Sequence, residues 1–128
     1  MRLLLDTHAF LWFIQGNNSL SDAARSSIEA SENQKLISIA SLWEIAIKVS
    51  IGKLEAEMPM TELVETQVLG NAFGLLSIAP EHLNELAKLP FHHKDPFDRL
   101  IIAQSLSEDM PIVSVDTAFG DYPVQIIW

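Results

Sequence analysis

The chain contains no cysteine among its 128 residues. This excludes a disulfide framework, a thiolate nucleophile and a zinc site with cysteine ligands. No apolar run approaches the ~20 residues that cross a bilayer, and Asp6 interrupts the N-terminus before the apolar segment of a secretion signal could form. We therefore expect a cytoplasmic protein without a membrane segment, built as one domain over residues 1–128.

Basic residues are also scarce, with 8 Lys and Arg against 17 Asp and Glu and a net charge of −9. Proteins that bind nucleic acid over a wide surface are normally basic. The charge balance therefore favours either a basic partner or a substrate held through bound metal and a few local cations. The cations that are candidates for substrate contact are Arg2, Lys48, Lys94 and Arg99.

Short apolar runs alternate with amphipathic segments along the whole chain. The predicted strands are 2–5, 35–40, 75–79, 111–115 and 124–128. The predicted helices are 7–15, 21–31, 41–51, 61–73, 80–88 and 96–107. This alternation is typical of a parallel sheet with helices on both faces, so the sequence predicts an α/β fold with five parallel strands.

Four acidic residues follow or adjoin the predicted strands. Asp6 ends the first strand, Glu44 lies on the helix after the second, Asp98 lies in the first turn of the helix that leads into the fourth, and Asp116 ends the fourth. Because the carboxyl ends of parallel strands meet at one edge of the sheet, we expect these four side chains to converge there.

Each of the four acids also has a purely structural interpretation. Asp6 is placed to cap helix 7–15, and Glu44 to complete a capping box with Ser41 or to pair with Lys48. Asp98 in a first helical turn favours the helix dipole, and Asp116 is placed to begin a turn. No one residue is specific, so the functional interpretation depends on the coincidence of all four at one edge.

Clustered carboxylates repel one another unless a cation neutralises them. Oxygen-only ligand sets suit Mg²⁺ or Mn²⁺. A metal of this kind lowers the pKa of bound water and polarises a phosphoryl oxygen, so the cluster predicts metal-dependent cleavage of phosphodiester bonds. The hydroxyls that flank the acids and are candidates to orient them are Thr7, Ser114 and Thr117.

The remaining polar residues have weaker interpretations. We expect His8 in a core or capping position, His82 on a helix surface, and Asp95 as a helix N-cap. His92 and His93 lie in the loop before Asp95, where a solvated position or, for His93, a substrate contact is expected. The three tryptophans fit core or interface packing; they are Trp12, Trp43 and Trp128.

Four segments together resemble the PIN domain: LLLDTHAFLW, SLWEIAIK, HHKDPFDRLIIAQ and IVSVDTAF. Within that family they are similar to the VapC-type toxins of bacterial type II toxin–antitoxin pairs, and the resemblance runs from Met1 to Trp128. It implies a five-stranded parallel sheet and Mg²⁺- or Mn²⁺-dependent endoribonuclease activity. The catalytic and metal-binding residues that it implies are Asp6, Glu44, Asp98 and Asp116.

The resemblance also implies partners. It predicts a homodimer and a small VapB-like antitoxin that wraps an apolar groove and reaches the acidic pocket with a basic residue. The two apolar helices 42–51 and 61–73 are candidates for that groove.

Other metal-dependent classes fit less well. A receiver-type phospho-acceptor needs an aspartate at the end of the third strand, where this chain has Ala79 and Pro80. A haloacid-dehalogenase-like phosphatase needs an aspartate two residues after the first, where this chain has His8. Two alternatives stay open, a non-catalytic binding module and a housekeeping RNA-processing nuclease without an antitoxin.

Overall fold

A five-stranded parallel sheet organises the computed structural model, which describes residues 1–128. The strands are β1 (Arg2–Leu5), β2 (Gln34–Ser38), β3 (Gly74–Leu76), β4 (Ile112–Val113) and β5 (Ile126–Ile127). Their order across the sheet is β3-β2-β1-β4-β5, and every neighbouring pair is parallel. The predicted α/β fold and strand number are confirmed, although four of the strands are shorter than predicted.

Six helices cover the two faces of this sheet. They are α1 (Thr7–Gln15), α2 (Asp22–Glu29), α3 (Ile39–Ser50), α4 (Met60–Leu63), α5 (Pro80–Lys88) and α6 (Pro96–Glu108). None of these helices combines the length and the apolar character needed to cross a membrane.

The central strand β1 contributes to two separate cores. Leu3 and Leu5 pack with apolar residues of α1, α2 and α3, whereas Leu4 packs with α6 on the other face. Successive side chains of a strand point to opposite faces, and all three leucines are fully buried. The apolar run at the start of the chain is therefore explained by its position in the middle of a sheet that is covered on both sides.

The second strand and the third helix meet earlier than predicted. Strand β2 ends at Ser38, whose hydroxyl accepts a hydrogen bond from the amide of Ala40 at 3.0 Å and caps α3. The capping box predicted between Ser41 and Glu44 is therefore wrong. Ser41 is buried one turn inside α3, which leaves the Glu44 carboxylate available for other contacts.

The predicted helix 61–73 is interrupted. Helix α4 is followed by a π-helical turn, Val64–Val68, and a 3₁₀ turn, Leu69–Asn71, and the segment ends at Ala72 in a left-handed conformation with φ of 61°. Val68 is buried and Ala72 is exposed. The chain must leave the helical axis here in order to enter β3 at Gly74.

Candidate active site

Asp6 lies where β1 ends and α1 begins, and it is buried. One carboxylate oxygen accepts from the amide of Ala9 at 2.7 Å, so Asp6 does cap α1. The other accepts from the hydroxyl of Ser114, at the end of β4. Burial raises the pKa of Asp6, and these two hydrogen bonds oppose that rise. The structural and functional interpretations of this residue are thus compatible.

Glu44 projects from α3 towards the same edge. The hydroxyl of Thr7 donates to Glu44 Oε1 at 2.7 Å and lies 3.0 Å from the hydroxyl of Ser41. Lys48, one turn along α3, places its ammonium 2.8 Å from Glu44 Oε2. The predicted pair with Lys48 is confirmed, and Thr7 orients this acid as expected of a supporting hydroxyl.

Asp98 lies in the first turn of α6, which brings the acid back to the carboxyl edge. Asp95 is the N-cap of this helix and accepts from the amide of Asp98 at 2.9 Å. Burial raises the pKa of Asp98 to about 7, with further contributions from the negative charges of Asp95, Glu44 and Asp6. The negative charges of Glu44 and Asp6 therefore act on Asp98, although both residues are more than 50 positions away in the sequence.

Asp116 follows β4 and begins a 3₁₀ turn, Thr117–Asp121, whose Ala118 amide donates to Asp116 Oδ1 at 2.9 Å. Its second oxygen faces His93, whose Nε2 lies 3.6 Å from Asp116 Oδ2 and 3.1 Å from Asp98 Oδ2. His93, Asp98 and Asp116 each offer an atom within 4.8 Å of the others. The loop histidine is therefore part of the acidic cluster.

His93 is held there by a clamp formed by Arg99 and Tyr122. The Arg99 guanidinium donates to the carbonyls of Leu89 at 3.3 Å, Pro90 at 2.9 Å and His93 at 3.4 Å. The Tyr122 hydroxyl donates to the Pro90 carbonyl at 2.7 Å and accepts from the His93 amide at 2.9 Å. These contacts fix the backbone of residues 89–93.

The structure therefore corrects the expectation that Arg99 contacts substrate. Its side chain is buried, and the ring of Phe91 stacks on the guanidinium at 4.0 Å. A guanidinium in this position stabilises the loop rather than reaching a ligand.

Of the other predicted substrate contacts and supporting hydroxyls, some lie at the site and others lie away from it. Lys94 is exposed on the loop beside the site. Arg2 pairs with Glu108 at 3.0 Å, beyond the amino end of the sheet. Ser114 orients Asp6, whereas Thr117 is exposed and bonds to none of the four acids.

Two histidine expectations are wrong. His8 is exposed and packs against Trp12, with 5.7 Å between ring centroids, instead of entering the core. His82 is buried rather than on a helix surface, because its Nδ1 accepts from the Ala79 amide at 2.9 Å and its Nε2 lies 2.8 Å from Glu108. Helical spacing alone predicts neither the exposure of His8 nor the burial of His82.

The tryptophans divide between packing and exposure. Trp12 and Trp128 pack against each other, with ring centroids 5.9 Å apart, and both are partly buried against the core. Trp43 is 54% exposed and meets Phe97 edge to face at 4.9 Å. Trp43 therefore belongs to the surface of α3 rather than to the core.

The donor set fits a hard divalent cation. Asp98 and Asp116 lie with His93 in one group of possible ligand atoms, and Lys48 contacts Glu44. Burial raises the pKa values of Asp6 and Asp98, and the negative charges of neighbouring acids add to the rise. A divalent cation would relieve this repulsion. The residues that would hold it are Asp6, Glu44, Asp98 and Asp116.

A separate apolar groove of about 650 Å³ lies between α1, α3 and the segment 54–63. Its floor includes Leu11, Ile14, Ile45 and Val49, and it contains Glu55 and Glu57. It takes in residues from both predicted groove segments, 42–51 and 61–73, but α1 and residues 54–60 form much of it. None of the four clustered acids lines this groove.

Comparison with solved structures finds the same fold in VapBC and FitAcB structures. VapBC2 of Rickettsia felis, bound to a DNA fragment from its promoter, matches with a TM-score of 0.72 at 16% identity, covering 98% of this chain and 97% of that chain. DNA-bound VapBC of Salmonella typhimurium matches with a TM-score of 0.70 at 15% identity, covering 98% and 96%. FitAcB of Neisseria gonorrhoeae matches with a TM-score of 0.61 at 16% identity, covering 97% and 95%.

At these identities the likeness concerns the fold. A sequence comparison with curated proteins finds no match. The family model of the PIN domain, however, matches residues 3–125. That range includes all four clustered acids, and it extends over nearly the whole sheet and its helices. This chain belongs to the PIN domain family.

Proposed function

We propose that the protein is an Mg²⁺- or Mn²⁺-dependent endoribonuclease and the toxin of a toxin–antitoxin pair. The observation that carries this proposal is the gathering of Asp6, Glu44, Asp98 and Asp116 at one edge of the sheet. Burial and repulsion raise the pKa of Asp98 to about 7, as expected of a site built to receive a cation. Acids that served only as helix caps would not need to lie close enough together to raise one another's pKa.

The metal, when bound to the four carboxylates, would supply Lewis-acid activation of water and of a phosphoryl oxygen. The chain's own residues prepare that site. Thr7 and Ser114 hold the carboxylates of Glu44 and Asp6 in fixed orientations through hydrogen bonds of 2.7 and 2.5 Å. Asp98 has to release its proton before a cation binds, so occupancy should increase as pH rises through about 7.

RNA is the proposed substrate, and the scarcity of local cations limits how it is held. Lys48 is engaged by Glu44 and Arg99 by the loop carbonyls. Lys94 is the exposed base next to His93 and is available for a phosphate. We therefore expect weak binding of RNA in the absence of divalent ions.

An antitoxin is the proposed partner. The fold is similar to that of solved VapBC and FitAcB structures, and this chain has an apolar groove that contains Glu55 and Glu57. A basic amphipathic segment would match both the apolar floor and the acidic side chains. The net charge of −9 also favours a basic partner.

A homodimer is proposed as the state of the toxin itself. The outer face of α3 carries large apolar side chains at four-residue intervals, each more than a third exposed. Such a stripe on a helix is typical of an unpartnered packing surface. Its residues are Ile39, Trp43, Ile47 and Ile51.

A cleavage assay tests the proposal. Purified protein should cut total RNA in Mg²⁺ or Mn²⁺, stop in chelator, and lose activity in Asp98→Asn. Expression alone should arrest growth, and co-expression of the small neighbouring reading frame should restore it. Cleavage without growth arrest or rescue would favour the housekeeping nuclease, and absence of metal-dependent cleavage would favour a binding module.

A further inference from the structure

His93 is the histidine that the fold places among the acids of the site. Its Nε2 lies 3.1 Å from Asp98 Oδ2 and 3.6 Å from Asp116 Oδ2. By distance alone the imidazole qualifies as a third ligand beside two carboxylates. An imidazole ligand would favour transition metals over Mg²⁺. Whether His93 binds the cation or supports the acids therefore decides the character of the site.

The opposite side of the ring determines which nitrogen carries the proton. The backbone amide of Asp95 donates to His93 Nδ1 at 3.2 Å. A nitrogen that accepts a hydrogen bond has no proton, so in the neutral ring the proton must be on Nε2. Histidines that bind metals normally show the reverse arrangement, in which the distant nitrogen donates to a carbonyl or carboxylate.

We propose that His93 is a positioning residue whose protonated Nε2 faces Asp98 and Asp116, and that it does not ligate the metal of the proposed nuclease site. Its Nε2 lies 3.1 Å from Asp98 Oδ2, whereas Asp98 Oδ1 has no side-chain donor against it. The metal would then be held by oxygen ligands only, which is the ligand type that Mg²⁺ prefers.

Buried side chains hold the backbone of the loop that carries His93 through several hydrogen bonds, more than a solvated loop would require. Arg99 holds three of its carbonyls, and Tyr122 bridges the Pro90 carbonyl and the His93 amide. Both side chains are buried. The clamp fixes the backbone of residue 93, and the Asp95 amide then fixes the rotation and tautomer of the ring. This inference depends on the proposed metal site but specifies a role that the four acids alone do not require.

Nitrogen NMR of ¹⁵N-histidine-labelled full-length protein reads the tautomer directly. In the neutral form of the ring we expect His93 Nδ1 to be unprotonated and Nε2 protonated. Assignment comes from His93→Gln, and the pattern should persist after addition of Mg²⁺. A protonated Nδ1, with or without Mg²⁺, would overturn the proposal.

Electron spin-echo spectroscopy of bound Mn²⁺ provides a second measurement. A directly ligating imidazole produces a nitrogen coupling, so we expect wild-type and His93→Gln proteins to give the same spectrum. Calorimetry should show Mn²⁺ affinity reduced by roughly 10–100-fold in His93→Leu, the range for loss of an outer-shell partner. His93→Gln should recover most of that loss, since its amide donates a hydrogen bond at similar reach.

The outcomes separate this inference from the function on which it depends. Mn²⁺ binding that is lost in Asp98→Asn, together with a nitrogen coupling present only in the wild type, would retain the metal site and overturn the role of His93. Absence of any Asp98-dependent Mn²⁺ binding would overturn both the proposed metal site and the role of His93. Tyr122→Phe, which loosens the clamp without changing the cluster, should weaken Mn²⁺ binding in the same direction as His93→Leu, with melting temperatures measured to confirm folding.

Discussion

The hydroxyl of Ser114 lies 2.5 Å from Asp6 Oδ2, although 108 positions separate the two residues in the chain. The Ser114 hydroxyl oxygen also accepts from the backbone amide of Asp116 at 3.0 Å. Ser114 thus joins the ends of β1 and β4, orients the Asp6 carboxylate and fixes the backbone at Asp116. Its hydrogen bond also opposes the rise in the pKa of Asp6 that burial causes.

Ser114→Ala should therefore weaken divalent metal binding. Without the hydroxyl, the Asp6 carboxylate loses its orienting donor and its pKa rises further, which disfavours the charged form that a cation needs. We expect a loss of roughly 10–100-fold in Mn²⁺ affinity, measured by calorimetry. The matched control is Thr117→Ala, because Thr117 flanks Asp116 in sequence but is exposed and bonds to none of the acids. Equal effects of the two substitutions would contradict this role for Ser114.

Asp98→Asn should stabilise the metal-free protein at neutral and alkaline pH. The pKa of Asp98 is raised from 3.8 to about 7 in the folded state, so the folded protein binds this proton more tightly than the unfolded chain. Its contribution to stability is full below pH ~4 and is lost as pH rises through about 7. At ~1.4 kcal/mol per pKa unit, the loss reaches at most roughly 4 kcal/mol.

Chemical denaturation of metal-free protein between pH 4 and 8 measures this effect. The free energy of unfolding should decrease with pH more steeply in the wild type than in Asp98→Asn. Glu108 supplies an internal contrast. His82 and Arg2 lower its pKa, so its contribution is lost only as pH falls below its ordinary range. Parallel pH profiles for wild type and Asp98→Asn would show that the folded protein does not raise the pKa of Asp98.

The sequence predicts the four acids because their positions depend on the topology of a parallel sheet. Asp6 and Asp116 directly follow strands, and Asp98 occupies a first helical turn, so only the strand order has to be correct. Glu44 is predicted from its place on the helix that follows the second strand. That helix is capped by Ser38 rather than Ser41, so only the structural alternative, the capping box with Ser41, is wrong.

The sequence names His93 as a candidate contact in the loop before Asp95, but its approach to Asp98 and Asp116 could not be predicted. It depends on a buried arginine that binds carbonyls ten residues earlier and on a tyrosine almost 30 residues later. The same limit applies to His82, whose burial depends on Glu108 at the far end of α6. Local patterns predict strands, helices and caps, but they do not identify polar side chains that are buried through distant hydrogen bonds.

Divalent ions should raise the thermal stability of the wild type. A ligand that binds only the folded state stabilises it by RT ln(1 + [L]/Kd), which is about 2.7 kcal/mol at a hundredfold excess over Kd. Differential scanning fluorimetry with Mg²⁺ and Mn²⁺ should show this shift, and the double variant Asp6→Asn/Asp116→Asn should abolish it. The control is Glu29→Gln, which removes an exposed acid where α2 leads to the opposite edge of the sheet. A shift that persists in the double variant would place the ion elsewhere.

A basic antitoxin segment should lose affinity when the apolar groove is altered. Val68 is fully buried, so an acid there would disrupt the core rather than test the surface. Ala46 is exposed on α3 and lines the groove. Glutamate is a good helix former, and Ala46→Glu should leave the fold intact while blocking apolar contact. We expect the affinity for the neighbouring gene product to fall by at least about tenfold, or ~1.4 kcal/mol.

Ala87→Glu is the matched control, because Ala87 is exposed on α5 and lies outside the groove. Stopped-flow kinetics should assign the loss in Ala46→Glu mainly to faster dissociation, since apolar anchors determine the off-rate. The on-rate of the wild type should decrease with salt, because long-range attraction to a chain of charge −9 is screened. If Ala46→Glu and Ala87→Glu bind the partner equally well while both remain folded, the antitoxin occupies a different surface.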